Sequence, residues 1–294
     1  MKGFLVGHFT DKINKTGVTA ILAKGGAVGG VDVRGSAPGT RETDLLRGCK
    51  SVEKIHAVVL SGGSAFGLEA CDGVMQYLWE EGIGYSAGNY RVPIVCGAVL
   101  FDLEYGKFSY PNKQAGYAAC RAASERVETG SVGAGTGATV GKILGMEHAS
   151  KGGVGYAEMQ LENGVYVGCV TAVNAMGEVY DLFHDGKTIA GARTSAGFAD
   201  TFQIMLNSET SAPTGTNTTI GCILTNAVLT REQANKLAES AQDGLTLSIR
   251  PVHTMYDGDT MFALATCEKQ ANFHQLLAAA AEVTRQSVLK AVEK

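Results

Sequence analysis

Short apolar runs, bounded by glycine and other turn-forming residues, recur along the 294-residue chain. Runs of this length, rich in β-branched residues, indicate buried β-strands. Residues 16–34 (TGVTAILAKGGAVGGVDVR) carry two such runs around a Gly-Gly pair, which predicts a β-hairpin. Further strands are predicted at 57–60, 93–100, 153–160, 164–174, 177–182, 219–226 and 260–266.

Helical spacing appears between these runs. Apolar residues recur at i, i+3, i+4 and i+7 from Cys71 to Leu78, which predicts a helix over residues 66–81. Thr230 and Gln233 form a capping-box pattern that predicts the start of another helix. Because strands come in runs with helices on their flanks, the pattern predicts one layered α/β sandwich domain. Other helices are predicted at 113–126, within 186–200 and at 268–292.

The composition excludes several classes of protein. Hydrophobic residues make up 45% of the chain and charged residues 18%, which indicates a globular protein with a large buried fraction. The net charge is −4 and no basic stripe is present, so no nucleic-acid partner is expected. No apolar run reaches the length of a membrane span, and the N-terminal one is too short for a signal peptide. Seven cysteines without metal-ligand spacing indicate free thiols in a reducing compartment, so we expect a cytoplasmic protein.

A glycine-rich segment, GSVGAGTGATVGK at 130–142, invites comparison with a phosphate-binding loop. Such a loop needs a glycine five residues before Gly141, where Thr136 stands, and serine or threonine in place of Ile143. The fragment GAGTGA follows a polar stretch rather than a strand, so a dinucleotide site is not expected either. We interpret the segment as the main-chain wall of a pocket.

Two carboxylates flank a glycine in HTMYDGDTMFALAT, residues 253–266. The Asp257-Gly258 pair is typical of a tight turn between strands, which predicts a hairpin here. Alternatively, Asp257 and Asp259 form a pair of carboxylates beside a reaction centre. None of the six histidines lies in a recognisable metal-binding or catalytic motif.

The segment GTNTTIGCILTNA, residues 215–227, raises the question of why a buried strand begins with two hydroxyls directly after Asn217. Thr218 and Thr219 can simply open the strand, because β-branched residues favour strands. Alternatively, a threonine can act as a nucleophile when its own N-terminal amine serves as the base. That role requires the chain to be cut just before Thr218, where a polar, turn-prone stretch ends.

Several segments, in one order, resemble a single protein family over nearly the whole chain. They are similar to the L-aminopeptidase/D-esterase family, also called the β-peptidyl aminopeptidases. Each segment is weakly specific alone, and the shared order makes the set specific. The segments are TGVTAIL, VRGSAPGTRETDLL, VVLSGGSAFGLEACDGVM, GSVGAGTGATVG, KGGVGYA, AVNAMGEVYD, TNTTIGCILTNA and DGDTMFALAT.

The resemblance implies a fold and a self-processing mechanism. The implied fold is an αββα four-layer sandwich that resembles the N-terminal-nucleophile hydrolases with different connectivity. The precursor is expected to cut itself between Asn217 and Thr218. Thr218 would then be the nucleophile and its new α-amine the general base, while Asn174 would donate to the oxyanion. Asp259 would orient that amine or hold the ammonium group of the substrate.

Two departures from the family pattern bear on the substrate. Longer relatives have a serine where Asp257 stands, and Glu is common where this chain has Asp259. Asp257 is nonetheless placed with the catalytic residues by its position. The longer relatives also carry extra sequence before the glycine-rich segment, in a region that forms part of the substrate pocket. We therefore expect the reaction class to transfer to this chain more readily than the substrate preference.

The resulting prediction is a self-processing aminopeptidase, amidase or esterase. It would remove small N-terminal residues from short peptides, amides or esters through an acyl-enzyme, without a cofactor or a metal. The single domain 1–294 would be cut into a large subunit, 1–217, and a small subunit, 218–294, and the processed pairs are expected to form a tetramer. An acyltransferase of the same architecture and an uncleaved, non-catalytic binding protein are the alternatives.

Overall fold

The computed structural model describes residues 2–207 and 216–293. Its α-helices are α1 (Ala70–Glu80), α2 (Lys113–Arg121), α3 (Thr201–Asn207), α4 (Arg231–Thr246) and α5 (Phe273–Val292), with 3-10 turns at Asp44–Leu46, Ser64–Glu69, Gly133–Gly135 and Glu162–Gly164. Its strands are β1 (Leu5–Asp11), β2 (Thr16–Val33), β3 (Thr40–Arg41), β4 (Lys54–Ser61), β5 (Tyr85–Ala87), β6 (Tyr90–Val92), β7 (Val95–Val99), β8 (Thr139–Val140), β9 (Ser150–Lys151), β10 (Gly153–Gln160), β11 (Tyr166–Asn174), β12 (Glu178–Asp181), β13 (Lys187–Ala190), β14 (Arg193–Thr194), β15 (Gly197–Phe198), β16 (Thr218–Ala227), β17 (Ile249–Arg250) and β18 (Thr260–Lys269).

One large mixed sheet organises the described part of the chain. Its strand order is β10-β11-β16-β18-β2-β4-β7-β3, and β1 pairs with β2 beside this path. Strand β16 runs antiparallel to β11 and parallel to β18, and all ten of its residues are buried. The strand that begins at Thr218 therefore lies in the interior of the sheet, where an apolar run is stabilised by burial on both faces.

The predicted hairpin within residues 16–34 is wrong, because the segment forms the single strand β2. Its first half pairs with β1 and β4, and its second half pairs with β18. The register against β4 shifts between Leu22 and Ala27, and Gly26 has a φ of +74°. The Gly-Gly pair thus forms a bulge in a continuing strand, because both halves of that strand find partners in the sheet.

Helices cover the sheet on two sides and make four layers. Helices α4 and α5 pack over a core built largely from β10, β11, β16 and β18. Helices α1 and α2 pack over β2, β4 and β7. A third core, which includes Ile21, Leu60, Ile220 and Phe262, fills the space between the two halves of the sheet. The αββα sandwich predicted from the sequence is confirmed.

The structure confirms one of two helix predictions made from local sequence patterns and contradicts the other. The capping box at the start of α4 is confirmed, since Thr230 Oγ1 accepts from the Gln233 backbone and Gln233 Oε1 accepts from the Thr230 backbone. The helix predicted within residues 186–200 is wrong, because this stretch forms β13, β14 and β15, and α3 begins only at Thr201. Strand β13 pairs with β12, and this pairing replaces helical hydrogen bonds. Of the described helices, none is long and apolar enough to span a bilayer.

Candidate active site

Three strand ends meet at one place in the sheet. Asn174 ends β11 and lies directly opposite Thr218, the first residue of the antiparallel strand β16. On the other side of β16, Ile220 lies beside Thr260, the first residue of β18. Asp259 precedes Thr260 and therefore lies next to the start of β16. The topology thus brings together three residues that the sequence had indicated from distant segments.

The Thr218 hydroxyl lies against the peptide bond that precedes it. Thr218 is 3% exposed, and its Oγ1 donates to the carbonyl oxygen of Asn217. The same carbonyl oxygen accepts a hydrogen bond from the backbone N–H of Gly258 at 3.0 Å. A backbone N–H at this distance from a carbonyl oxygen polarises the carbonyl and is placed to stabilise negative charge on it.

Gly258 leaves the room that this arrangement needs. A Cβ atom at this position would lie 2.6 Å from the carbonyl oxygen of Ala37 and 2.9 Å from Thr218 Oγ1. Both separations are shorter than ordinary contacts, so a side chain here would displace the hydroxyl or the loop. The glycine is therefore explained by its contact with Thr218.

Both carboxylate oxygens of Asp259 accept hydrogen bonds, which hold the loop before β18 and the start of β16 in place. Its Oδ1 accepts from the Thr219 N–H at 2.6 Å. Its Oδ2 accepts from His253 twice, from the backbone N–H at 3.1 Å and from Nδ1 at 2.9 Å. Asp259 thus fixes the position of Thr218 through the next residue along the strand, rather than by contacting Thr218 itself.

Asp257 is a buried carboxylate beside the same peptide. It is 2% exposed, and its Oδ2 accepts from the backbone and the hydroxyl of Thr254 at 2.8 and 2.6 Å. Burial, followed by the nearby charge of Asp259, raises the pKa of Asp257 to about 7. Asp257 forms a parallel bridge with Asn217, and β17 and β18 pair with other strands, so the predicted hairpin turn at Asp257-Gly258 is wrong.

The Asn174 side chain is held in one orientation. Its Oδ1 accepts from the Thr139 N–H at 3.0 Å and from Lys142 Nζ at 2.9 Å. Two donors can converge only on the oxygen, so Nδ2 must point the other way. There it donates to the carbonyl oxygens of Phe101 at 2.9 Å and Thr216 at 3.3 Å. The amide N–H of Asn174 therefore faces the segment that precedes Thr218.

Lys142 is a residue of this site that no motif in the sequence had indicated. Its Nζ donates to the Asn174 carbonyl oxygen at 3.0 Å and to the Thr216 carbonyl oxygen at 3.0 Å, besides Asn174 Oδ1. Loss of water around the ammonium lowers the pKa of Lys142 to about 7, against the raising effect of Asp257. The only signal in the sequence is its position at the end of the glycine-rich segment, where a phosphate-binding loop would also carry its lysine.

A cavity of about 180 Å³ opens beside Lys142. The expectation that the glycine-rich segment walls a pocket is confirmed, because Gly137, Thr139 and Lys142 of that segment line this cavity. Phe101, Tyr105 and Met146 supply its apolar walls, and Asp102 and Glu104 supply carboxylates. The complete lining is Phe101, Asp102, Glu104, Tyr105, Gly137, Thr139, Lys142, Gly145, Met146 and Thr216.

Asp102 is the buried charge of this cavity. It is 5% exposed, and its Oδ1 accepts from the Gly63 N–H at 2.7 Å, while its Oδ2 makes no hydrogen bond with the described residues. Burial raises the pKa of Asp102 to about 6, and Lys151 opposes this rise. Its position two residues after the strand predicted at 93–100 is the only signal for it in the sequence. Within residues 2–207 and 216–293, no group of histidine, cysteine, aspartate or glutamate side chains could hold a metal.

Known proteins of similar sequence and structure carry related descriptions. The model of peptidase family S58 matches residues 1–294. A Mycobacterium leprae protein named an uncharacterised aminopeptidase is 44% identical over 270 residues, which cover 85% of this chain and 70% of that protein. A 6-aminohexanoate-oligomer endohydrolase from a Kocuria strain is 31% identical over 275 residues, covering 90% of this chain and 74% of that protein. The solved structure of the L-aminopeptidase D-Ala-esterase/amidase from Ochrobactrum anthropi, described as a variant of the Ntn hydrolase fold, matches with a TM-score of 0.74 at 17% identity, covering 99% of this chain and 84% of that one.

Proposed function

The chain belongs to peptidase family S58 and is a hydrolase of the aminopeptidase type, and from this premise we propose that it activates itself by cutting its backbone between Asn217 and Thr218. The contact of the Thr218 hydroxyl with the Asn217 carbonyl carries the proposal. The products, 1–217 and 218–294, would stay packed together, because β16 lies between β11 and β18 in the sheet.

The cleavage begins with attack of Thr218 Oγ on the carbonyl carbon of Asn217. The negative charge that develops on the Asn217 oxygen is stabilised by the Gly258 N–H, which already lies 3.0 Å away. The C–N bond then breaks, and the proton from the hydroxyl passes to the new α-amine of Thr218. Water hydrolyses the resulting ester, which leaves a carboxylate on Asn217 and a free hydroxyl on Thr218.

Turnover reuses the same hydroxyl with a new base. An α-amine has an ordinary pKa of about 7.7–8.0, so a useful neutral fraction exists near neutral pH to take the proton of the Thr218 hydroxyl. The acyl group of the substrate is transferred to Thr218 Oγ as its C–N or C–O bond breaks, and the leaving amine or alcohol takes the proton from the α-ammonium. Water, deprotonated by the same amine, then releases the acyl group from Thr218 as a carboxylate. The Asn174 amide and the Lys142 ammonium are the donors we assign to the oxyanion of this reaction, since both donate to the Thr216 carbonyl oxygen just before β16.

The cavity beside Lys142 suits a small acyl group that carries an amine. Its volume of about 180 Å³ accommodates a short side chain or linker, and Phe101 and Tyr105 provide apolar contact. Asp102 and Glu104 provide negative charge for the ammonium of the substrate. The aminopeptidase of M. leprae and the 6-aminohexanoate-oligomer endohydrolase are relatives whose names describe hydrolysis of amides of amino acids, which supports this substrate class.

The intact masses of the purified protein and of Thr218→Ala test the proposal. The unaltered chain should give two species that break between Asn217 and Thr218, and it should hydrolyse an amino acid p-nitroanilide. Thr218→Ala should give one uncut species without activity, because the attacking hydroxyl is absent.

Thr219→Ala is the matched control, since Thr219 is the neighbouring buried threonine on the same strand. It should still cleave, because the nucleophile is retained. Cleavage and activity of Thr218→Ala would contradict the proposal. A single uncut, inactive species from the unaltered chain would favour a non-catalytic binding protein instead.

A further inference from the structure

The carbonyl group of Thr216 occupies the two side-chain donors of the site. Its oxygen lies 3.0 Å from Lys142 Nζ and 3.3 Å from Asn174 Nδ2. Thr216 also contributes to the lining of the 180 Å³ cavity. In the uncut chain, the segment before the nucleophile therefore fills the place where a substrate carbonyl would bind.

This contact differs from the one at the peptide to be cut. The carbonyl of Asn217 is held by the Gly258 N–H, whereas the carbonyl one residue earlier is held by Lys142 and Asn174. Cutting the bond after Asn217 leaves both of these contacts in place, because neither involves Thr218. The new C-terminus would therefore be bound in the site immediately after cleavage.

We propose that the new C-terminus, Thr216–Asn217, is a competitive ligand of the mature site and must leave it before the first substrate can bind. This inference rests on the proposed function. A carbonyl that satisfies two donors prevents a second carbonyl from using them, because each donor proton serves one acceptor well. The site therefore binds peptides that end in Thr-Asn with a free carboxylate.

The attachment is expected to be weak. The new carboxylate lies at the bridge between Asn217 and Asp257, so the buried Asp257 opposes it when ionised, while the ammonium of Lys142 attracts it. The attachment consists of two hydrogen bonds to a neutral carbonyl oxygen, and the attraction and repulsion of the carboxylate partly cancel. These terms predict a dissociation constant of about 1 mM.

Competition with a peptide tests the inference on the processed enzyme. The probe is acetyl-Gly-Thr-Asn, the sequence of residues 215–217, whose blocked amine prevents its use as an aminopeptidase substrate. It should raise the apparent KM for an amino acid p-nitroanilide about twofold at a concentration of about 1 mM, with kcat unchanged. The control is the same peptide with a trans-alkene in place of the Thr-Asn amide, which removes the carbonyl acceptor without adding charge and should leave KM unchanged.

A time course of freshly synthesised chain gives a second measurement. Cleavage, followed by intact mass, and hydrolytic activity should rise together, because a ligand of millimolar affinity leaves the site rapidly, and added acetyl-Gly-Thr-Asn should lower the activity without slowing cleavage. A chain that cleaves and becomes active but is not inhibited by the peptide would overturn this inference and leave the proposed function intact. A chain that never cleaves would overturn both.

Discussion

Asp102 is the buried carboxylate of the cavity beside Lys142, and its replacement by asparagine separates stability from function. The carboxyl group has a pKa of about 6, above the ordinary 3.8, because burial disfavours its charged form. The folded chain therefore holds this proton more tightly than the unfolded chain does. Stability falls as pH rises from about 4 to about 6 and stays at the lower level above that range.

The difference of about two pKa units corresponds to about 3 kcal/mol of lost stability at pH 8. Little of it is screened, because Asp102 is only 5% exposed. The amide that replaces the carboxylate in Asp102→Asn carries no charge, and its oxygen can still accept from the Gly63 N–H. The variant should unfold about 5 °C above the unaltered chain at pH 8 and at nearly the same temperature at pH 4.

Calorimetry at pH 4 and pH 8 measures the change in melting temperature, and steady-state kinetics measures the change in KM. Loss of the carboxylate should raise KM for an amine-bearing substrate about tenfold, which is the effect of losing one favourable ion pair of about 1.4 kcal/mol. Glu104→Gln is the control for stability, because Glu104 is exposed and its charge is already solvated. A melting temperature of Asp102→Asn that is equal to or below that of the unaltered chain at pH 8 would refute the reasoning.

Substitutions at three further residues probe the site. His253→Asn should keep most of kcat. The asparagine amide can replace the ring N–H that binds Asp259, and asparagine tolerates the backbone φ of +58°. His253→Gln should lower kcat at least about tenfold. Lys142→Arg should move the alkaline limb of the pH profile of kcat to higher pH. A lysine with a pKa of about 7 loses its charge above neutral pH, whereas arginine keeps its charge. An alkaline limb that does not move would exclude Lys142 as the charged donor. Gly258→Ala should leave the chain uncut by intact mass, because the added Cβ would lie 2.9 Å from Thr218 Oγ1, and normal cleavage would contradict that steric account.

The sequence alone determined the features of this protein that depend on residues close together along the chain. The apolar run after Thr218 predicted a buried strand, and β16 is that strand. The Thr230–Gln233 pair predicted the start of α4, because a capping box satisfies backbone groups within one turn. The resemblance in motif order also led to the αββα layers and to Thr218, Asn174 and Asp259 as a group. Whether those three residues have the assigned roles stays a prediction.

Only the tertiary structure decided features that depend on distant partners. The Gly-Gly pair in β2 suits a hairpin or a bulge equally well by local conformation, and pairing with β4 and β18 selected the bulge. Lys142 lies 32 residues from Asn174 and 74 from Thr216 along the chain, so no local pattern could show that its ammonium joins them. His253 lies only six residues from Asp259, yet it stands in no motif, and the path of the loop before β18 brings its ring to that carboxylate. Hydrogen bonds and burial act through space, and the sequence order of this chain records them only where the contacting residues are also neighbours.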